Sequence, residues 1–212
     1  MQFDIPSKSP REQLAAMTRE RILEAVARIL RRGSEVTFDQ VAKESGIPQR
    51  TLYRYFENKD ALFAAFWDWA NATIEVPALP TSPGDLIEHI PALYAAFDRD
   101  EALVRAMMHD PHGRRVRMGN ADARRAKFRD ALKPLIAGLD EEDATGLLAS
   151  VSAICSASGW EMIKDNWHLK GPAAARAAQW GVASLIAEAR RKAGTAADMT
   201  QGKIGAFEGD RI

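Results

Sequence analysis

Thr37-Phe38-Asp39-Gln40-Val41-Ala42-Lys43-Glu44-Ser45-Gly46-Ile47-Pro48-Gln49-Arg50-Thr51-Leu52-Tyr53-Arg54-Tyr55-Phe56, followed by Glu57-Asn58-Lys59-Asp60, packs two short helical patterns around a Gly-Ile-Pro corner. Thr37 and Gln40 have the S/T-x-x-E/Q spacing of a capping box, which predicts a helix starting at Phe38 with Phe38, Val41 and Ala42 turned inward. Ser45-Gly46 closes that helix, because glycine takes the left-handed conformation that a sharp exit requires. Pro48 then sets the chain's direction and suits the first positions of the next helix. In that helix Leu52 and Phe56 are four apart and share the inward face, while Gln49 with Tyr53 and Arg50 with Arg54 share the outward one. A short helix with amides, guanidiniums and phenols on one side and apolar groups on the other has the chemistry to meet base edges and phosphates in a major groove.

Upstream, Ile22, Ala25, Val26, Ile29 and Leu30 recur at helical spacing from Thr18, and Gly33 ends the run. Residues 1–17 show no convincing periodicity and read as a flexible arm with two basic residues, Lys8 and Arg11. Downstream, Asn58 is a suitable N-cap for a helix from Lys59 to about Ile74. Leu62, Phe63, Phe66, Trp67 and Trp69 surround much of that helix, so more than its own small domain should cover it. Residues 76–84 hold three prolines and a glycine and form a break.

Beyond the break, Leu86, Ile90, Leu93, Tyr94 and Phe97 form one helical stripe, and Leu103, Val104, Met107 and Met108 a shorter one. His109-Asp110-Pro111-His112-Gly113 reads as a surface loop, and Phe128, Leu132, Leu135, Ile136 and Leu139 mark a long helix with a strongly basic start. Two further helices are expected over 141–165 and 172–192. Small residues on a second side of each suggest packing against another copy of the chain, which predicts a homodimer through these helices. Residues 194–212 read as a disordered tail. With neither β-type alternation nor an internal repeat, the expected class is all-α: a three-helix helix-turn-helix domain over 18–66, followed by a larger helical domain over 67–193.

A hydrophobic fraction of 46% with 27% charged residues belongs to an ordinary globular chain, and no apolar run approaches the roughly 20 residues of a membrane span. The N-terminus lacks a secretory layout, and a single cysteine, Cys155, cannot form an internal disulfide, so the cytoplasm is the expected compartment. Formal net charge is zero, with a net of +2 over residues 1–60 and −2 over the rest. That bias is too weak to identify a nucleic-acid binder by itself.

The pattern Thr37-Phe38-x-x-Val41-Ala42-x-x-Ser45-Gly46-Ile47-x-x-x-Thr51-Leu52-Tyr53-x-Tyr55-Phe56-x-Asn58-Lys59-x-x-Leu62, preceded by the helix from Thr18, resembles the N-terminal domain of TetR-family transcriptional regulators. The resemblance covers about residues 18–66. It implies a homodimer that binds a palindromic operator and usually represses until a small ligand binds its C-terminal domain. It also implies that Thr37, Tyr55 and Lys59 hold phosphates, whereas Arg50 and Arg54 stand at variable positions where each member reads its own operator.

The residues themselves fit that expectation. Gln49 can contact adenine bidentately and Arg50 guanine, Arg54 lies one turn later, and Thr51, Tyr53 and Tyr55 carry hydroxyls toward phosphates. For an effector cavity the candidates are Trp67, Tyr94, Phe97, Met107, Met108, Phe128, Trp160 and Trp167, because methionine and aromatic side chains give adaptable apolar walls. Such a cavity suits a largely apolar ligand, with an anionic group compatible.

The basic run Arg114, Arg115, Arg117, Arg124, Arg125, Lys127 and Arg129 reads as a solvated helix face, or as an attractor for an acidic effector. His109, Asp110 and His112 lack the geometry and the fourth ligand of a metal site, so no metal and no cofactor is expected. The chain has no Ser-His-Asp order, Gly-rich phosphate loop or HExxH motif, which points away from an enzyme. Two other functions are compatible with the chain: a ligand-independent architectural DNA binder, marked by a filled second domain, and a small-molecule binding protein with no DNA role, marked by metabolite binding without DNA binding.

Overall fold

Ser9, not Thr18, starts the first helix. Its hydroxyl accepts from the backbone N–H of Glu12, and the Glu12 carboxylate accepts in return from the Ser9 N–H at 2.8 Å. The computed structural model describes residues 9–207, with side chains described through residue 194. Among the described residues there are eleven helices and no strand: α1 (Pro10–Arg31), α2 (Phe38–Ser45), α3 (Gln49–Tyr55), α4 (Lys59–Thr73), α5 (Pro83–Arg99), α6 (Glu101–His109), α7 (Pro111–Gly119), α8 (Ala121–Ile136), α9 (Glu141–Ile154), α10 (Ala157–Trp167) and α11 (Pro172–Phe207). The fold is all-α, as the pattern predicts. The arm expected over 1–17 is helical from Pro10, and its residues 1–8 lie outside the described residues.

The chain divides into two units, the first comprising Met1–Thr73 and Glu101–Met118 and the second Ile74–Asp100 and Gly119–Ile212. Unit 1 is built on α1, whose Ile22, Leu23, Ala25, Val26, Ala27, Ile29 and Leu30 are buried. α2 lies against α1 and is tied to it by charge. Arg28 Nε donates to Glu44 Oε1 at 2.7 Å, Arg32 to Glu44 Oε2 at 2.6 Å and Arg21 to the Ser45 carbonyl at 2.8 Å. Arg32 first and Arg28 second hold the Glu44 carboxyl below the usual carboxylate range.

The apolar circumference of α4 explains the second segment of unit 1. Leu62, Phe63, Phe66 and Ala70 belong to the same buried cluster as Leu103 and Met107 of α6, with Trp67 and Trp69 packed against it. The unit therefore runs past the expected boundary at residue 66 and takes back residues 101–118, because α1 to α3 leave part of α4 uncovered.

The expected surface loop at 109–113 is instead a capped helix start. Asp110 Oδ1 accepts from the N–H groups of His112 at 2.7 Å and Gly113 at 3.2 Å, opening α7. A Cβ on Gly113 would stand 2.2 Å from the Met107 carbonyl oxygen, so only glycine fits this corner. His112 stacks on Phe63 at 5.0 Å and places Nδ1 2.9 Å from Asp60 Oδ1, which Arg115 also reaches at 2.9 Å. The described residues contain no cluster of three metal-ligating side chains.

Unit 2 packs α5 along α11, with α8, α9 and α10 completing the core. Leu86, Ile90, Leu93, Tyr94 and Phe97 of α5 are buried, as are Phe128, Leu132 and Leu135 of α8 and Ala174, Ala178, Val182, Ile186 and Ala189 of α11. Gln179 donates across α5 and α11 to the Ile87 carbonyl at 3.1 Å. The single helix expected over 141–165 is two helices bent by 69°. The break follows from Ser156, whose hydroxyl accepts from the Gly159 N–H at 3.1 Å and so caps a new helix. Gly159 permits the close turn, since a Cβ there would lie 2.4 Å from the Ala153 carbonyl oxygen.

The basic run is divided between α7 and α8, and Arg124 turns inward toward the Cys155 carbonyl, unlike the solvated face expected for the whole run. Where a tail was expected from residue 194, α11 continues to Phe207 through a stretch with no proline; residues 208–212 lie outside the described residues. No single helix among the described residues is long and apolar enough to cross a membrane.

Three substitutions test these contacts through stability. Gly159→Ala should lower the unfolding free energy by about 1–3 kcal/mol because the added carbon meets backbone, and Ser156→Ala by about 1 kcal/mol through the lost cap, both measured by urea denaturation. The Asp60 carboxyl is held below its ordinary value by His112 first and Arg115 second. Its contribution is therefore present above the usual carboxylate pKa of about 4 and is lost as pH falls through the lowered one. Asp60→Asn should flatten the acid limb of a stability-versus-pH curve below about pH 4.

Candidate nucleic-acid interface

With seven residues, α3 is too short to persist alone, since isolated helices below about 12 residues are marginal in water. Its inward side chain Leu52 is fully buried, and Phe56 at its C-terminal cap is buried with it in the unit 1 cluster. The corner before it is equally fixed. Gly46 sits in the left-handed region at φ +68°, while the Ser45 hydroxyl donates to the Val41 carbonyl at 2.6 Å and accepts from the Ile47 N–H at 3.2 Å. α3 is thus held at a set angle to α2 by apolar contacts and a satisfied turn.

The outward face carries the residues that the sequence singles out. Gln49, Arg50 and Arg54 are exposed, and none makes a side-chain hydrogen bond or ion pair among the described residues. Tyr53 is half exposed, and its ring lies parallel on Phe38 with centroids 4.4 Å apart and planes 2° apart. That stack makes Tyr53 both a packing group and a carrier of an outward phenol. Thr51 and Tyr55 are half-buried, with Tyr55 resting against the core.

Thr37 and Lys59 frame this helix. The Thr37 hydroxyl oxygen accepts from the Gln40 N–H at 3.2 Å, leaving its own proton to donate. The reciprocal half of the expected capping box is not made: Gln40 Oε1 is buried without a partner. Lys59 Nζ stands 3.3 Å from Glu35 Oε1. Because Glu35 precedes Thr37 by two residues, that pair brings the starts of α2 and α4 to one end of unit 1. Arg19 adds a guanidinium 5.0 Å above the Phe56 ring. Neither Glu35 nor Arg19 has a local sequence signal for these roles, since both contacts span elements far apart in the chain.

The aromatic and methionine candidates for an effector cavity do not form one group. Trp67, Met107 and Met108 belong to unit 1, where Met107 is core and the other two are half-buried. Tyr94, Phe97, Phe128 and Trp160 are buried in unit 2, and Trp167 is exposed there. Tyr94, Phe97 and Trp160 do adjoin, with ring centroids 6.5 and 5.7 Å apart in sequence order. Methionine and aromatic content records apolar character without recording which of two cores receives it, which is why the sequence grouped them.

Comparison with known proteins agrees with the N-terminal geometry. Residues 22–66 match the family described as bacterial regulatory proteins, tetR family. No curated protein matches the chain. Among solved structures, a TetR-like transcriptional regulator from Rhodococcus sp. RHA1 aligns over 87% of this chain and 99% of its own, at 16% identity and a TM-score of 0.49. Residues 22–66, which hold the C-terminal part of α1 and all of α2 and α3, thus match the N-terminal domain of the bacterial tetR-family regulatory proteins.

Proposed function

We propose that this chain acts in the cytoplasm as a homodimeric, non-enzymatic repressor that leaves a palindromic operator when a small, largely apolar ligand binds unit 2. The observation that carries the DNA part is the division of α3 into a buried inner face and an outer face whose amide and guanidinium groups are uncommitted. Arg50 reads guanine in the major groove, Gln49 and Arg54 contribute base or phosphate contacts, and Thr37, Thr51, Tyr53, Tyr55 and Lys59 position the backbone. The Lys59–Glu35 pair does not oppose this role strongly, because an exposed pair of this kind contributes about 0–1 kcal/mol and yields to a phosphate.

Dimerisation is supported by α10 and α11, which expose Met162, Trp167 and Trp180, the last at 77%. Burying such side chains against a second copy removes large apolar areas from water. Ligand release then follows from linkage: a ligand that binds better to a dimer with the wrong half-site spacing draws the population away from DNA.

Electrophoretic shifts on the DNA flanking the protein's own gene test the reading, and loss of salt-sensitive binding there would refute it. Arg50→Ala should cost about 1–3 kcal/mol of operator affinity and relax specificity, while Lys59→Ala should weaken all sequences alike and reduce the salt slope by about 1. Tyr53 separates packing from contact. Tyr53→Phe keeps the stack on Phe38, so its urea midpoint should match the wild type while operator binding weakens; Tyr53→Ala should also lose about 1 kcal/mol of stability.

A further inference from the structure

Among the described residues, unit 2 contains a partly buried cation with no anion paired to it. Arg124, on α8, donates to the backbone carbonyl of Cys155 and lies 5.0 Å over the Phe128 ring, but no carboxylate pairs with it among the described residues. A guanidinium has five N–H donors, and one carbonyl oxygen cannot occupy them. The same unit shows how a structural cation is accommodated. Lys164, with its side chain 10% exposed, stands 2.5 Å from Asp98 and 4.6 Å over Trp160, and the Trp160 indole N–H donates to the same carboxylate at 3.0 Å.

A second unpaired group of unit 2 lies within electrostatic reach of Arg124. His89 of α5 is 9% exposed, and its Nε2 is buried with no hydrogen-bond partner. Burial first, and the positive charge of Arg124 second, push this imidazole below its ordinary value, so it is neutral near pH 7. Cys155, whose carbonyl Arg124 contacts, supplies no negative charge either: burial pushes its thiol up to about 11. A site with an uncompensated guanidinium and an idle imidazole nitrogen is costly to the folded chain, and an anion relieves both defects together.

We propose that Arg124 and His89 are the anchor for the charged head of the unit 2 ligand, and that this ligand is a monocarboxylate on an apolar body. The inference rests on the ligand-released reading above and supplies its ligand class. The planar guanidinium offers two parallel N–H groups to a carboxylate, and His89 in its Nε2–H tautomer offers a third donor. The apolar body would pack against the aromatic side chains that adjoin these groups. Phe128 lies beneath the guanidinium, and the Tyr94–Phe97–Trp160 series begins where the Tyr94 hydroxyl donates at 3.0 Å to the carbonyl of Ile154, the neighbour of Cys155.

The test uses the full chain with straight-chain carboxylates from acetate to decanoate, benzoate, and the primary amides of the same skeletons, read by calorimetry and thermal shift. At least one carboxylate should bind about tenfold or more tightly than its amide, as charge-assisted hydrogen bonds dictate. Arg124→Gln should abolish that preference, Arg124→Lys should keep part of it, and His89→Phe should weaken the carboxylate several-fold. Ligand-free Arg124→Gln should melt no lower than the wild type. Absence of carboxylate binding, equal binding of acid and amide, or a preference that survives Arg124→Gln would overturn the proposal. So would a marked loss of ligand-free stability in Arg124→Gln, which would assign the guanidinium to the Cys155 carbonyl alone. Operator shifts with the same samples separate the two readings: a carboxylate preference with no effect on the DNA complex sinks ligand release and leaves the anion site, whereas release by acid and amide alike does the reverse.

Discussion

Burial of Leu52 in the cluster built on α1 is the contact on which the outward face of α3 depends. Seven residues cannot repay helix nucleation from their own hydrogen bonds, so α3 exists because its inner side is removed from water. A buried leucine of this kind contributes about 2–5 kcal/mol when judged by truncation. The outer side is thereby released from any structural duty. Among the described residues, Gln49, Arg50 and Arg54 stand in solvent without protein partners, and the fold places no constraint on their identities.

The same logic explains the two-segment make-up of unit 1. α4 is apolar around most of its circumference, and α1 to α3 cover only part of it. Leu103 and Met107 of α6 enter the shared cluster, and α7 follows, with His112 stacked on Phe63 and both His112 and Arg115 on Asp60. The core of unit 1 is thus complete only after a helix of unit 2, α5, has been inserted in the chain between its parts.

Where structure was legible in the sequence, the signal was local. Gly33, Thr37, Gly46, Pro48 and Asn58 each act within a few residues, and the helix boundaries they predict are found. The early start of α1 was also written locally, in Ser9-Pro10-Arg11-Glu12, but its first turns carry no apolar stripe: Leu14 and Met17 are exposed, so periodicity gives nothing there. The break between α9 and α10 is hidden for the opposite reason, because Cys155 and Ser156 lie within a continuous run of small and apolar residues. Contacts such as Lys59–Glu35, Asp60–His112 and Arg124–Cys155 join elements tens of residues apart, and no pattern of period 3.6 encodes them. The basic run illustrates the limit: composition could not separate Arg124 from its solvated neighbours.

A ligand shifts an equilibrium only by the difference in its affinity for the two states, so a greasy cavity that tolerates many arrangements is a poor switch. The anchor proposed for unit 2 differs from such a cavity because its donors come from separate helices, His89 from α5 and Arg124 from α8. A carboxylate is a small, directional acceptor, and engaging both donors fixes the separation of those helices more sharply than apolar contact does. The unit 2 segment that carries α5, Ile74–Asp100, is joined in the chain to unit 1 at each end, at 73/74 and 100/101. On the proposed reading, the free energy of neutralising Arg124 is therefore drawn on a helix that the chain itself connects to the DNA-binding unit, and the charge that weakens the empty fold is what gives the filled one its bias.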